Sequence, residues 1–293
     1  MKSKLSRRQF LRVALGAGAA IGARPALADV VDLKQSLLTI PVEVIGDWGG
    51  SIPESARRVI LWMRAACLRG VRTLSDRQPE RLRIEDRSSG PPAIWLHPDP
   101  ATTAWAIVDI SARDWSKLAY QFGHELGHIF ANSWNVAAWP RPPCQWLEEA
   151  LVEAFSVRGL GRLAQDWSSD PPFPGDNAFS GAIAQYRADL VARYRAASAA
   201  EGGDNLPLWF AAHRGDIEVH GGVRDLLGPV VLALAAEYET DVGCVEDLGA
   251  LNRWPERSAL PIGDYLSKWR TSCAEIAAPG RLPDHVQQWL GVT

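Results

Sequence analysis

Residues 120–133 read YQFGHELGHIFANS, and the five residues HELGH, from His124 to His128, decide how the rest of the chain is understood. On a helix, positions four apart lie on one face with Cβ atoms about 5 to 6 Å apart. His124 and His128 can therefore offer both imidazoles to one ion. Glu125 sits one step round, beside that pair. Two neutral nitrogen ligands, together with a carboxylate left free to take a proton from an attacking water, are what a hydrolytic zinc site requires.

Beyond this helix, residues 132–143 (NSWNVAAWPRPP) cannot continue it, and the prolines mark a loop. The following stretch, CQWLEEALVEAFSVRGL, has a strong helical pattern in which Leu147, Ala150, Leu151, Ala154 and Phe155 form one apolar stripe. Glu149 and Glu153, four apart, share another face. Glu148 lies about 100° round from Glu149, so the spacing implies that only one of these two faces the histidines. Upstream, residues 37–45 (LLTIPVEVI) predict a strand, with Pro41 placing it at an edge or bulge. A helix follows from Ser51 to about Cys67, with Ile60, Met63 and Cys67 at helical spacing. Three short strands are expected at Arg81 to Glu85, Ala93 to Leu96 and Thr103 to Ile110, separated by turn-rich segments.

Strand, helix, three strands and an active helix is an order that resembles the N-terminal half of zincin metalloproteases, over roughly Leu37 to Arg158. Within that superfamily, Trp146-Leu147-Glu148-Glu149 is similar to the Trp-Leu-x-Glu pattern of gluzincins. The resemblance implies one Zn²⁺ held by His124, His128 and Glu149, with Glu125 as general base and Glu153 as an outer acid that steadies a zinc-bound imidazole. It also implies that an edge strand before the active helix, at the place of Thr103 to Ile110, binds an extended substrate backbone. A transition-state stabiliser would come from the C-terminal half, where His220 and Tyr238 are the candidates. Ala150 stands where many aminopeptidases have glycine and no GxMEN motif precedes the helix, so the resemblance does not extend to aminopeptidases. A metzincin site needs glycine and histidine where Ala131 and Trp134 stand, and Asp166 in GRLAQD lacks the threonine of the aspzincin motif.

After Gly161 the pattern is mostly helical, with Gly228-Pro229 as an expected kink within residues 224–238. Trp134, Trp139 and Trp146 bracket the loop between the two glutamate- and histidine-bearing helices, either as a cleft floor or as packing. His97, His213 and His285 have no companions in sequence and read as surface or cap residues.

The first 28 residues carry six of the 31 basic residues and no acidic one. Ser6-Arg7-Arg8-Gln9-Phe10-Leu11 looks like a twin-arginine export motif, and Ala26-Leu27-Ala28 like a cleavage site. Cleavage there leaves 25 basic against 34 acidic residues, a net charge of −9. Nucleic acid and anionic membranes are thereby disfavoured as partners. Past the leader no apolar run approaches the length of a membrane span. The four cysteines, Cys67, Cys144, Cys244 and Cys273, permit two disulfides in an oxidising compartment, or buried free thiols if the chain folds before export.

The expectation is an α+β, zincin-like fold in three parts. These are a twin-arginine signal peptide (1–28), an N-terminal α/β lobe with a small mixed sheet, backing helix and active-site helix (29–135), and a helical C-terminal lobe with the third-ligand helix (136–293). The expected function is that of a periplasmic or secreted zinc metallopeptidase acting on a peptide or protein substrate. The alternative is a catalytically inactive zinc-site binding or scaffold protein of the periplasm; a structural site, however, has no need of Glu125.

Overall fold

The computed structural model describes residues 37–292, apart from 49, 73, 88, 89, 111, 112, 222 and 223. The leader and its cleavage site lie outside the described residues. The described residues form a mixed α+β fold, largely helical with a small mixed sheet. Its strands are β1 (Val42–Gly46), β2 (Arg81–Asp86), β3 (Ala93–Ile94) and β4 (Thr103–Val108). The helices are α1 (Pro53–Leu68), α2 (Trp115–Phe130), α3 (Gln145–Ser169), α4 (Ser180–Ala200), α5 (Leu206–Ile217), α6 (Gly228–Thr240), α7 (Val242–Glu246), α8 (Ile262–Glu275) and α9 (Arg281–Leu290).

The sheet order is β1-β2-β4-β3; β1–β2 and β2–β4 pair in parallel, and β3 runs antiparallel to β4. Parallel neighbours cannot be joined by a tight turn, and α1 supplies the crossover from β1 to β2. Residues 37–39 are helical, so the expected first strand is shorter, beginning at Val42 after Pro41. It is an edge strand, where a proline without an N–H does no harm.

The expectation that residues 103–110 form the exposed edge is corrected. β4 lies between β2 and β3, and Thr103, Ala104, Ala106, Ile107 and Val108 are all buried, as suits a strand covered on both faces. The edge is β3. Register Ala93↔Ile107 and the bond from Trp95 N to Trp105 O (2.8 Å) put residues 93 and 95 in hydrogen-bonded pairs with β4. The intervening Ile94 therefore turns its backbone N–H and C=O away from the sheet.

Asp114 caps α2 by accepting from Lys117 N (3.0 Å), and the helix ends before Asn132, which adopts φ 64°. α3 is buried all round from Trp146 to Leu160 apart from Glu149, because α1, α2, α4 and α6 pack about it. Two glycines let α2 lie close. A methyl at Gly127 would stand 2.7 Å from Val152 Cβ and 3.1 Å from Val152 Cα, and one at Gly123 would stand 2.5 Å from Met63 Cε. The glycine inside HELGH thus brings the glutamates of α3 within reach of the histidines of α2.

Gly228-Pro229 opens α6 instead of kinking a longer helix; a short 3-10 turn, Asp225–Leu227, precedes it. Proline fits a first helical turn, where its missing N–H has no partner to lose. One continuous core contains buried residues from Leu37 to Leu290. All four cysteines are buried free thiols. Among the described residues no helix is long and apolar enough to cross a membrane.

Candidate metal centre

His124 and His128 stand on successive turns of α2, and Glu149 on α3 faces both. Glu149 Oε2 lies 3.4 Å from His124 Nε2 and 3.5 Å from His128 Nε2. Bonds of about 2.0 to 2.1 Å from nitrogen and oxygen to a tetrahedral ion set ligand-to-ligand edges of about 3.3 to 3.4 Å. These three donor atoms, mutually within 4.8 Å, are therefore spaced as the ligands of one ion.

The far nitrogens of both rings are held. His124 Nδ1 is 3.0 Å from Glu153 Oε2, and His128 Nδ1 is 2.8 Å from Glu148 Oε1. A carboxylate only accepts, so each Nδ1 carries a proton, and a cation that displaces the proton of each Nε2 would meet that atom's lone pair. The sequence-based expectation that only one of Glu148 and Glu149 can face the histidines is thereby corrected. Both do, because an imidazole presents two nitrogens and Glu148 meets His128 at the other end of the ring.

The two outer carboxylates are themselves anchored. Glu153, fully buried, accepts from the hydroxyls of Tyr120 (3.0 Å) and Tyr194 (2.7 Å). Glu148 accepts from Asn252 Nδ2 (2.7 Å), and the Tyr265 hydroxyl donates to Asn252 Oδ1 (3.2 Å). Arg257, also buried, donates to Asn132 O (2.7 Å) and Ser133 Oγ (3.0 Å) just past the end of α2. Of these supports, Tyr120 was legible in principle, since it lies four residues before His124 on the same helix face. Tyr194, Asn252, Arg257 and Tyr265 lie in no motif, and nothing in the sequence marks them.

The buried carboxyl groups of Glu125, Glu148 and Glu153 and the half-buried one of Glu149 surround two imidazoles, and the electrostatics follow. Burial disfavours a charged His124, but hydrogen bonding to Glu149 and Glu153 outweighs this and lifts its pKa to about 9. His128 is also lifted well above its ordinary value against burial, through Glu149 and Glu148. Burial opposes the charge on Glu149 too, yet the two rings hold it well below the usual carboxylate range. The centre draws positive charge, which two ring protons or one divalent cation in their place can supply.

Glu125 is 2% exposed, and its Oε2 has no hydrogen-bond partner. Burial raises its pKa. It lines a cavity of about 580 Å³ together with His124, His128, Glu149, Tyr120 and the β3 segment at Ala93, Ile94 and Leu96. His220 and Tyr238 do not line this cavity. His220 is exposed with Nδ1 2.8 Å from Asp216 O, and Tyr238 is wholly buried in α6. Asp166 pairs with Arg69 near the far end of α3. Trp134 and Trp146 are packed in the core, Trp139 is exposed, and none of the three lines the cavity. No protein-family model matches the chain, and no curated protein and no solved structure matches it.

Proposed function

We propose that the protein is an exported zinc-dependent metallohydrolase, gluzincin-like, that cleaves peptide bonds. The observation that carries this reading is the convergence of His124 Nε2, His128 Nε2 and Glu149 Oε2 at tetrahedral spacing beside the unpartnered carboxylate of Glu125. The donor set of two imidazoles and one carboxylate is that of catalytic zinc, which leaves a coordination position open. Zn²⁺ bound there supplies a Lewis acid for the scissile carbonyl and activates water near neutral pH.

Glu125 Oε2 takes the proton of the attacking water and then passes it to the leaving amine. Its raised pKa suits both halves of that exchange. Glu148 and Glu153 keep the Nδ1 protons in place, so that neither ring can turn its lone pair aside. The β3 edge, with Ile94 offering a backbone donor and acceptor away from the sheet beside the cavity, favours an extended peptide as substrate. The antiparallel edge strand next to the HELGH helix also supports a zincin-like arrangement of the sheet.

The test separates metal from base. Protein purified without chelator should hold zinc, and His124→Ala or His128→Ala should lower the bound zinc by one equivalent. Glu125→Gln should keep its zinc while hydrolysis of a peptide library falls by about 10²- to 10⁴-fold. Full activity in zinc-loaded Glu125→Gln would exclude the mechanism.

A further inference from the structure

A second group of metal-binding side chains lies apart from the HELGH cavity, where the end of α6, the short α7 and α9 meet. Glu237, Cys244 and His285 place a carboxylate oxygen, the thiol sulfur and a ring nitrogen within 4.8 Å of one another. His285, companionless in sequence, has companions in space.

Cys244 Sγ is 3.6 Å from Glu237 Oε1, and His285 Nδ1 is 3.1 Å from the same oxygen. Sulfur bonds of about 2.3 Å and oxygen bonds of about 2.0 to 2.1 Å set a tetrahedral sulfur–oxygen edge of about 3.5 to 3.6 Å, and nitrogen–oxygen edges are about 3.3 to 3.4 Å. A chain of hydrogen bonds is the competing account, and it fails at the histidine. His285 Nδ1 is buried and has no hydrogen-bond partner, although Glu237 Oε1 is so near. Two atoms that close but out of line with each other are arranged as joint donors to a third point.

We propose that Glu237, Cys244 and His285 form a second metal site, for a borderline-soft divalent transition ion such as Zn²⁺. A mixed nitrogen, sulfur and oxygen donor set selects such an ion over Ca²⁺ or Mg²⁺. Cys244 is fully buried, whereas His285 and Glu237 are partly open to solvent, which leaves a way in. Asp241 Oδ2 lies 3.7 Å from the sulfur but is engaged by Arg281, and its other oxygen accepts from Gly243 N (2.9 Å). It contributes negative charge, and the fourth position falls to water. Uptake replaces the S–H bond by a metal–thiolate bond and releases that proton to solvent, with no change of oxidation state. Once formed, the site ties α9 to the α6–α7 turn.

This proposal is independent of the function proposed for the HELGH site, and cobalt(II) distinguishes the two. Only the second site contains sulfur, so only it gives thiolate-to-cobalt charge-transfer absorption in the near ultraviolet. Titration of the full chain with Co²⁺ should develop that band, and the band should survive His124→Ala/His128→Ala. Cys244→Ala should abolish it, and His285→Gln should shift its titration midpoint by more than about tenfold. The His285→Gln titration still decides if Cys244→Ala does not fold. A folded, cobalt-saturated protein without the band, or a band unchanged in either variant, would overturn the second site.

Discussion

Both nitrogens of His128 are engaged: Nε2 faces Glu149 and Nδ1 faces Glu148. That division ranks the three glutamates of α3. Glu149 would supply one of three protein bonds to an ion, whereas Glu148 and Glu153 would act through a ring, and loss of such an outer partner typically costs about 10 to 100-fold in affinity or activity. Glu149→Ala should therefore give the largest loss of zinc affinity in competition titrations against a chelator. Glu148→Ala and Glu153→Ala should each give a loss of about 10 to 100-fold. A wild-type affinity in Glu148→Ala would mean that its contact with His128 is idle. The resemblance to the Trp-Leu-x-Glu pattern singled out Glu149 as ligand, while helical spacing paired the histidines and put Glu149 and Glu153 on one face. Spacing could not assign Glu148, because angular position on a helix says nothing about which end of a facing ring a side chain will meet.

Among the elements, the close approach of α2 and α3 is the feature on which the centre depends. Replacing a helical glycine by alanine ordinarily favours the helix by up to about 1 kcal/mol. At Gly127 the new methyl would press on Val152 Cβ and Cα, and overpacking of that kind costs about 1 to 3 kcal/mol. Gly127→Ala should therefore lower the melting temperature and weaken zinc binding by pushing Glu148 and Glu149 from the histidines. Gly215→Ala, on α5 with open space around it, should raise the melting temperature with zinc binding unchanged. Equal responses in the two variants, measured by thermal unfolding, would show that helix propensity and not the contact with Val152 governs Gly127. The helices were legible from their apolar stripes. The edge of the sheet was not, since alternation along residues 103–110 reports burial, while edge or interior position depends on which strand lies alongside.

At the scale of the whole molecule, the shared core and the thiols within it are the telling features. Each cysteine is at most 1% exposed and none is bridged. Denatured protein with chelator and no reductant should accordingly titrate four thiols, while the folded protein should resist labelling. Two thiols missing from the denatured count would indicate a disulfide. An even cysteine count cannot distinguish bridges from packed thiols, because the distances that decide between them arise only when separate helices come together. The same holds for the polar groups that brace the centre. Asn252, Arg257 and Tyr265 are recruited from more than 100 residues downstream of the HELGH helix.

That bracing has a bearing on the order of events during synthesis. A nascent chain that has passed Glu149 already carries all three ligands, yet Glu148 has no amide donor until Asn252 emerges, and the segment after α2 has no guanidinium until Arg257 does. An ion met by the half-made chain would find Glu148 beside the His128 ring but without the amide that anchors it. Tight capture would thereby be deferred to the finished polypeptide, and a prematurely terminated product that retains HELGH and WLEE would make a poor competitor for a scarce metal ion.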